Sequence, residues 1–122
     1  MQLNHLDLQV RDVQRCVSLL ETFFDFELRS SRSSPAIAIL SDRAGFTLVL
    51  QRMRDEQASY PEGFHIGFLR DTPEEVHAFH ARARAAGLNV SDVIENGRGT
   101  LVYFPSDDLC LIEVSCHHTR QR

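Results

Sequence analysis

Residues 3–10 alternate, with Leu6, Leu8 and Val10 apolar against the polar His5, Asp7 and Gln9. A period of two predicts a half-buried strand with two chemically different faces. Asp12 stands where a helix N-cap belongs, and Val13, Cys16, Val17, Leu20 and Phe24 follow at helical spacing. Phe26 to Arg32 and Ala36 to Leu40 read as short strands parted by a Ser-rich turn that carries Pro35. After another turn at Asp42 to Gly45, Phe46 to Gln51 alternate again. Phe46, Leu48 and Leu50 lie on one side, with Thr47, Val49 and Gln51 on the other.

A polar stretch, Arg52 to Gly63, reads as a linker, and then the pattern restarts. Phe64, Ile66 and Phe68 alternate with His65, Gly67 and Leu69. Thr72, with Pro73 at the first helical position and Glu75 three residues beyond the cap, is a helix start. Val76, Phe79, Ala83 and Ala86 form its inward stripe, and Gly87 supplies a stop. Val90 to Ile94, Thr100 to Phe104 and Leu109 to Ser115 read as three closing strands, punctuated by Asn96–Gly97 and by Pro105 to Asp108. The order strand, helix, three strands is thus written twice, over about residues 3–53 and 63–116, with a linker over about 54–62. Residues 1–122 form one α+β domain on this reading: two βαβββ repeats making a curved mixed sheet, helices on its outer face and a concave cup inside.

Composition narrows the function. At 43% hydrophobic and 25% charged the chain is an ordinary globular one, and a net charge of −4 leaves no basic footprint for nucleic acid. Small arginine groups at Arg82 and Arg84 and in the tail, Arg120 to Arg122, read as solvated surface. No apolar run reaches membrane-helix length, and the first residues lack a signal pattern, so the expected location is cytoplasmic. Cys16, Cys110 and Cys116 are odd in number and scattered, which suits reduced structural thiols. His77 with His80, and His117 with His118, read as a solvated helix face and a frayed end.

Strand parity then separates the chemistry. Residues of one parity share a face, so the apolar sets turn toward the helices. The opposite face carries His5, Asp7 and Gln9, then Thr47, Val49 and Gln51, then His65, then Glu113. Two imidazoles and a carboxylate are a ligand set that non-haem iron(II) and related divalent ions accept. Glu113, flanked by Leu111, Ile112 and Val114, would be costly to bury alone; a metal, or a cation such as Arg98, must answer its charge. For Tyr103 the parity is undecided, and a core ring is the simpler reading.

Asn4–His5–Leu6–Asp7–Leu8–Gln9–Val10, His65–Ile66–Gly67–Phe68 and Leu111–Ile112–Glu113–Val114 carry a resemblance to the vicinal oxygen chelate superfamily. That superfamily includes glyoxalase I, fosfomycin-resistance thiol transferases, extradiol dioxygenases, methylmalonyl-CoA epimerase and bleomycin-resistance proteins. The resemblance implies that His5, His65 and Glu113 ligate one divalent ion, with iron, nickel, zinc, manganese and magnesium not distinguished. It also implies a homodimer in which His5 of one copy joins His65 and Glu113 of the other. Glyoxalase I adds a carboxylate from the fourth strand of its first repeat, which also serves as its proton-transfer base. Here that place holds Val49, with Gln51 one step along the same face, so the glyoxalase I base is missing. The acidic-Pro-acidic-Gly turn common before the last strand is altered to Pro105–Ser106–Asp107–Asp108.

The expected function is a metal-dependent glyoxalase- or dioxygenase-like enzyme whose small oxygenated substrate chelates the ion. Asp7, Gln9 and Gln51 would bind or orient that substrate, and no residue is assigned as a catalytic base. Isomerase, transferase and oxygenase chemistry are not resolved from one another. The alternative is a metal-free protein of the bleomycin-resistance type that sequesters a small ligand in the cup. Neither reading needs a nucleic acid or a membrane.

Overall fold

A computed structural model describes residues 1–118; the tail arginines Arg120 and Arg122 lie outside them. Chain contacts divide the protein into two compact units, Met1–Ser59 with Asp107–Leu109, and Tyr60–Ser106 with Cys110–Arg122. The paired repeat is borne out. Each repeat forms a mixed four-stranded sheet with one helix.

In the first unit, β1 (His5–Val10) leads into α1 (Val13–Phe23), followed by β2 (Glu27–Leu28), β3 (Ile37–Ser41) and β4 (Thr47–Arg52). The Asp12 side chain accepts from the Arg15 N–H, as an N-cap should, and Asp25 at φ 57° reverses the chain beyond the helix. The strand order is β1-β4-β3-β2, with β1 parallel to β4 and the other pairs antiparallel. Leu8, Val10, Ala38, Leu40, Leu48 and Leu50 form the buried face, and Val13, Cys16, Val17 and Leu20 bury the matching stripe of α1. Only Glu27 and Leu28 of the longer strand expected over Phe26 to Arg32 pair in a ladder. Ser30 instead caps the Ile39 N–H with its hydroxyl, and Ser31 and Ser33 bond each other.

The linker is held at its start. Arg11 donates from its guanidinium to the Glu56 and Ala58 carbonyls, and the Met53 N–H bonds the Val10 carbonyl. The first unit also takes in Asp107–Leu109. There the Asp108 carbonyl accepts from the Arg11 N–H at 2.9 Å, and its carboxylate pairs with Arg15 at 3.2 Å.

The second unit repeats the order as β5 (His65–Leu69), α2 (Pro73–Ala85), β6 (Ile94–Asn96), β7 (Gly99–Pro105) and β8 (Leu111–His117). Thr72 and Glu75 close a full capping box, and Gly87 leaves the helix at φ 81°. The strand order is β5-β8-β7-β6, with β5 parallel to β8. Val76 and Ala83 of α2 are buried, as are Val102, Phe104, Ile112, Val114 and Cys116 of the sheet. Ala86, expected in the same stripe, is exposed.

Three local expectations shift. The strand expected over Val90 to Ile94 begins only at Ile94, because Ser91 satisfies Tyr103 with its hydroxyl as well as its own N–H. His117 is not frayed; it pairs with Gly99 in the ladder, and His118 bonds the Asn96 and Arg98 carbonyls. His80 is not on a solvated face, since its Nε2 is buried without a hydrogen-bond partner. All three cysteines are buried and none is in a disulfide, as expected of structural thiols.

Candidate metal centre

Strand register decides which side chains share a face. In the second unit Gly67 of β5 lies opposite Glu113 of β8, which lies opposite Tyr103 of β7. His65 is two residues before Gly67, so it shares their face one step along the strand. Ser115, two beyond Glu113, lies on the face as well. The second histidine and the glutamate therefore lie on one face of one sheet.

The carboxylate is nearly sealed. Its side chain is 5% exposed, whereas that of its ion-pair partner Arg98 is 56% exposed. Arg98 reaches Oε1 at 3.2 Å, and the Ser115 hydroxyl donates to Oε2 at 3.1 Å. Tyr103 adds a side-chain hydrogen bond to the same group. Burial alone would push this carboxyl up, but Tyr103, Ser115 and Arg98 together hold it below the ordinary glutamate value. Tyr103 is thus a site-facing ring, not a core one. A single strand's alternation could not show this, because the answer lies in the β7–β8 register.

His65 is exposed, and its Nδ1 lies 2.9 Å from the Gly63 carbonyl. A carbonyl only accepts, so Nδ1 is the donor here, and in the neutral ring the lone pair is on Nε2. Metal-ligating histidines are oriented in this way, by a backbone oxygen behind the ring. Gly67 completes the arrangement. A methyl group there would stand 4.0 Å from Glu113 Oε2, at van der Waals distance, so glycine adds no bulk beside the carboxylate.

In the first unit His5 begins β1, exposed and opposite Thr47. Asp7, Gln9 and Gln51 form one hydrogen-bonded group on the same face. Asp7 accepts from the Gln51 amide on one oxygen and from the Gln9 amide, at 3.2 Å, on the other. Val49 lies opposite Asp7 in the ladder, so the fourth strand of this repeat supplies no carboxylate there. Ile37 and Ile39, 40% and 38% exposed, extend the face with apolar surface.

Among the described residues, no three His, Cys, Asp or Glu side chains are grouped closely enough within one chain to hold a metal ion. What the chain does supply fits such an ion in kind. It offers an oriented imidazole nitrogen and an anionic carboxylate on one face. No helix among the described residues is long and apolar enough to cross a membrane.

Comparison with known proteins agrees with this architecture. The family model described as Glyoxalase/Bleomycin resistance protein/Dioxygenase superfamily matches residues 2–109. The chain belongs to that superfamily. A possible glyoxalase from Bacillus cereus is 29% identical, with a TM-score of 0.83 over 95% of this chain and 99% of that one. The genomically encoded fosfomycin resistance protein FosX from Listeria monocytogenes is 23% identical, with a TM-score of 0.78 over 97% and 94% of the two chains. A mutant of that protein, complexed with Mn(II) and 1S,2S-dihydroxypropylphosphonic acid, is 25% identical, with a TM-score of 0.73 over 93% and 88%. No curated protein is similar enough in sequence to count as a match.

Proposed function

We propose that this protein is a metal-dependent enzyme acting on a small oxygenated substrate. Its divalent ion is held by His65 and Glu113 of one copy and by His5 of a second copy in a homodimer. The observation that carries the reading is the buried Glu113 carboxylate, kept anionic on the face that bears an imidazole with Nε2 ready to bind. Superfamily membership supports it, as does the Mn(II) complex of the FosX relative.

Bound there, a divalent ion supplies Lewis acidity to a substrate that presents two neighbouring oxygens. The chain's own residues do the rest. Gly63 holds the His65 ring in its ligating tautomer, and Ser115 and Tyr103 hold the carboxylate on this face by hydrogen bonds. On the other repeat, Asp7, Gln9 and Gln51 form a polar group suited to orienting a hydroxyl or carbonyl. The cytoplasm is the proposed location, and neither a nucleic acid nor a membrane is a proposed partner.

The Arg98–Glu113 pair favours one alternative, a metal-free protein that sequesters a small ligand. In that case the carboxylate's charge is already answered by arginine. Metal titration separates the two. Purified untagged protein should bind about one Mn(II) or other divalent ion per chain, and His65→Ala and Glu113→Gln should each weaken binding about tenfold or more while the fold persists. Full occupancy in either variant, or none in the native chain, rejects the metal reading.

A further inference from the structure

We infer that Arg98 is a built-in counter-cation that a divalent ion must displace from Glu113, so that the metal-free chain folds with its site already charge-balanced. The inference rests on the metal reading above and adds to it a competitor encoded in the same repeat. Four observations carry it.

The first is the asymmetry of exposure. Glu113 is only 5% exposed, whereas Arg98 at 56% can give up its partner and be rehydrated where it stands. The second is the division of the carboxylate. Arg98 takes Oε1, while the Ser115 hydroxyl holds Oε2 and can remain there when Oε1 changes partner. The third is the anchoring of Arg98 itself. Its N–H bonds the Asn96 side chain at 2.9 Å and its carbonyl accepts from the His118 N–H at 2.9 Å. The backbone of the β6–β7 turn is thus fixed, and a displaced guanidinium stays at the rim of the site. The fourth is space. Gly67, opposite Glu113 in the ladder, adds no side-chain bulk beside the carboxylate; a Cβ there would stand 4.0 Å from Oε2.

Arginine here does for the empty state what the ion does for the loaded one. The exchange trades a half-exposed ion pair for a metal bond and leaves no buried charge unanswered at either end. A consequence is that metal affinity is lower than the ligand set alone would give, because each ion competes with a tethered guanidinium.

The test compares metal-free native protein with Arg98→Met, Arg98→Gln, Glu113→Gln and, as a charge control on α2, Arg84→Met. Mn(II) binding is followed by electron paramagnetic resonance and calorimetry. Both Arg98 variants should bind Mn(II) roughly five- to tenfold tighter than the native chain. Arg84→Met should stay within about twofold, because a distant surface charge is screened, and Glu113→Gln should lose binding. A second readout needs no variant: Mn(II) should increase modification of Arg98 by phenylglyoxal, followed by mass spectrometry of its peptide. Unchanged or weaker affinity in both Arg98 variants, with native binding intact and Glu113→Gln inactive, would overturn the role of Arg98 alone. Equal protection of Arg98 with and without Mn(II) would do the same. Absence of binding in every form, the Arg98 variants included, would remove both readings together.

Discussion

Glu113 is the side chain on which the energetics of the second unit can be worked most directly, by comparing Glu113→Gln with Glu113→Ala in metal-free protein. The carboxylate accepts from Ser115, which is fully buried, from Tyr103, and from the half-exposed Arg98. Glutamine keeps an acceptor oxygen of the same reach, so Ser115 and Tyr103 retain a partner. What it loses is the charge on a pair whose cation is mostly in water, about 1 kcal/mol at most. Against that stands relief from burying a carboxylate, so the net effect of Glu113→Gln should lie within about 1 kcal/mol of zero. Alanine removes the acceptor altogether. A buried hydroxyl left without a partner costs about 1–3 kcal/mol. Glu113→Ala should therefore be less stable than Glu113→Gln by about that amount. For a chain of 122 residues this corresponds to a melting point lower by about 4 °C for each kcal/mol. Thermal unfolding followed by circular dichroism, with chelator present throughout, reads the difference. Equal melting points for the two variants would refute the reasoning, because they would mean that the buried donors do not depend on this acceptor.

Two further expectations concern the same repeat. Gly99 opens β7 at φ 145°, and a methyl group there would sit 2.0 Å from the Cys116 carbonyl oxygen and 2.9 Å from the His117 Cα. Gly99→Ala should thus destabilise by more than about 3 kcal/mol, measured by urea unfolding; a loss below about 1 kcal/mol would contradict the close approach of β7 and β8. Burial pushes the Cys110 thiol up to about 11, against which a bond from the Ile66 backbone works only partly. A thiol raised in the folded state binds its proton more tightly there than when unfolded. Its contribution is therefore intact below the ordinary thiol range and is lost as pH rises through about 9 to 11. The native chain should lose up to about 2–3 kcal/mol more than Cys110→Ala between pH 7 and the top of that range; parallel pH profiles would show that the thiol is not buried as described.

How much of this was legible in the chain depends on the distance over which each signal acts. The repeat, the capping box at Thr72 and Glu75, and the shared face of His65 and Glu113 follow from local periodicity, and the structure agrees. Periodicity is set by two or four neighbours, so the sequence carries it directly. Tyr103 stays undecided in the sequence for the opposite reason. Its face is fixed by pairing with Glu113, ten residues away along the chain, and no run of neighbours encodes that register. The late start of β6 has a similar origin, since the Ser91 hydroxyl takes a Tyr103 N–H that a strand neighbour would otherwise bond. Arg98 was named as a possible answer to the Glu113 charge on solvation grounds alone, and the geometry supplies the contact. His80 departs from its polar character. Polar character suggested a wet helix face, yet residue 80 stands between the buried Val76 and Ala83 in the helical repeat, and its Nε2 is buried.

The metal reading is tested most directly by mixing two defective chains. His5→Ala and Glu113→Gln protein, each purified and first assayed alone for bound Mn(II), are unfolded together, refolded as a mixture and assayed again. If one copy contributes His5 and the other His65 and Glu113, every mixed dimer regains one intact site, and metal returns to the mixture. Folded mixed dimers that take up no ion, or a His5→Ala chain that already binds at the native level by itself, would contradict the account.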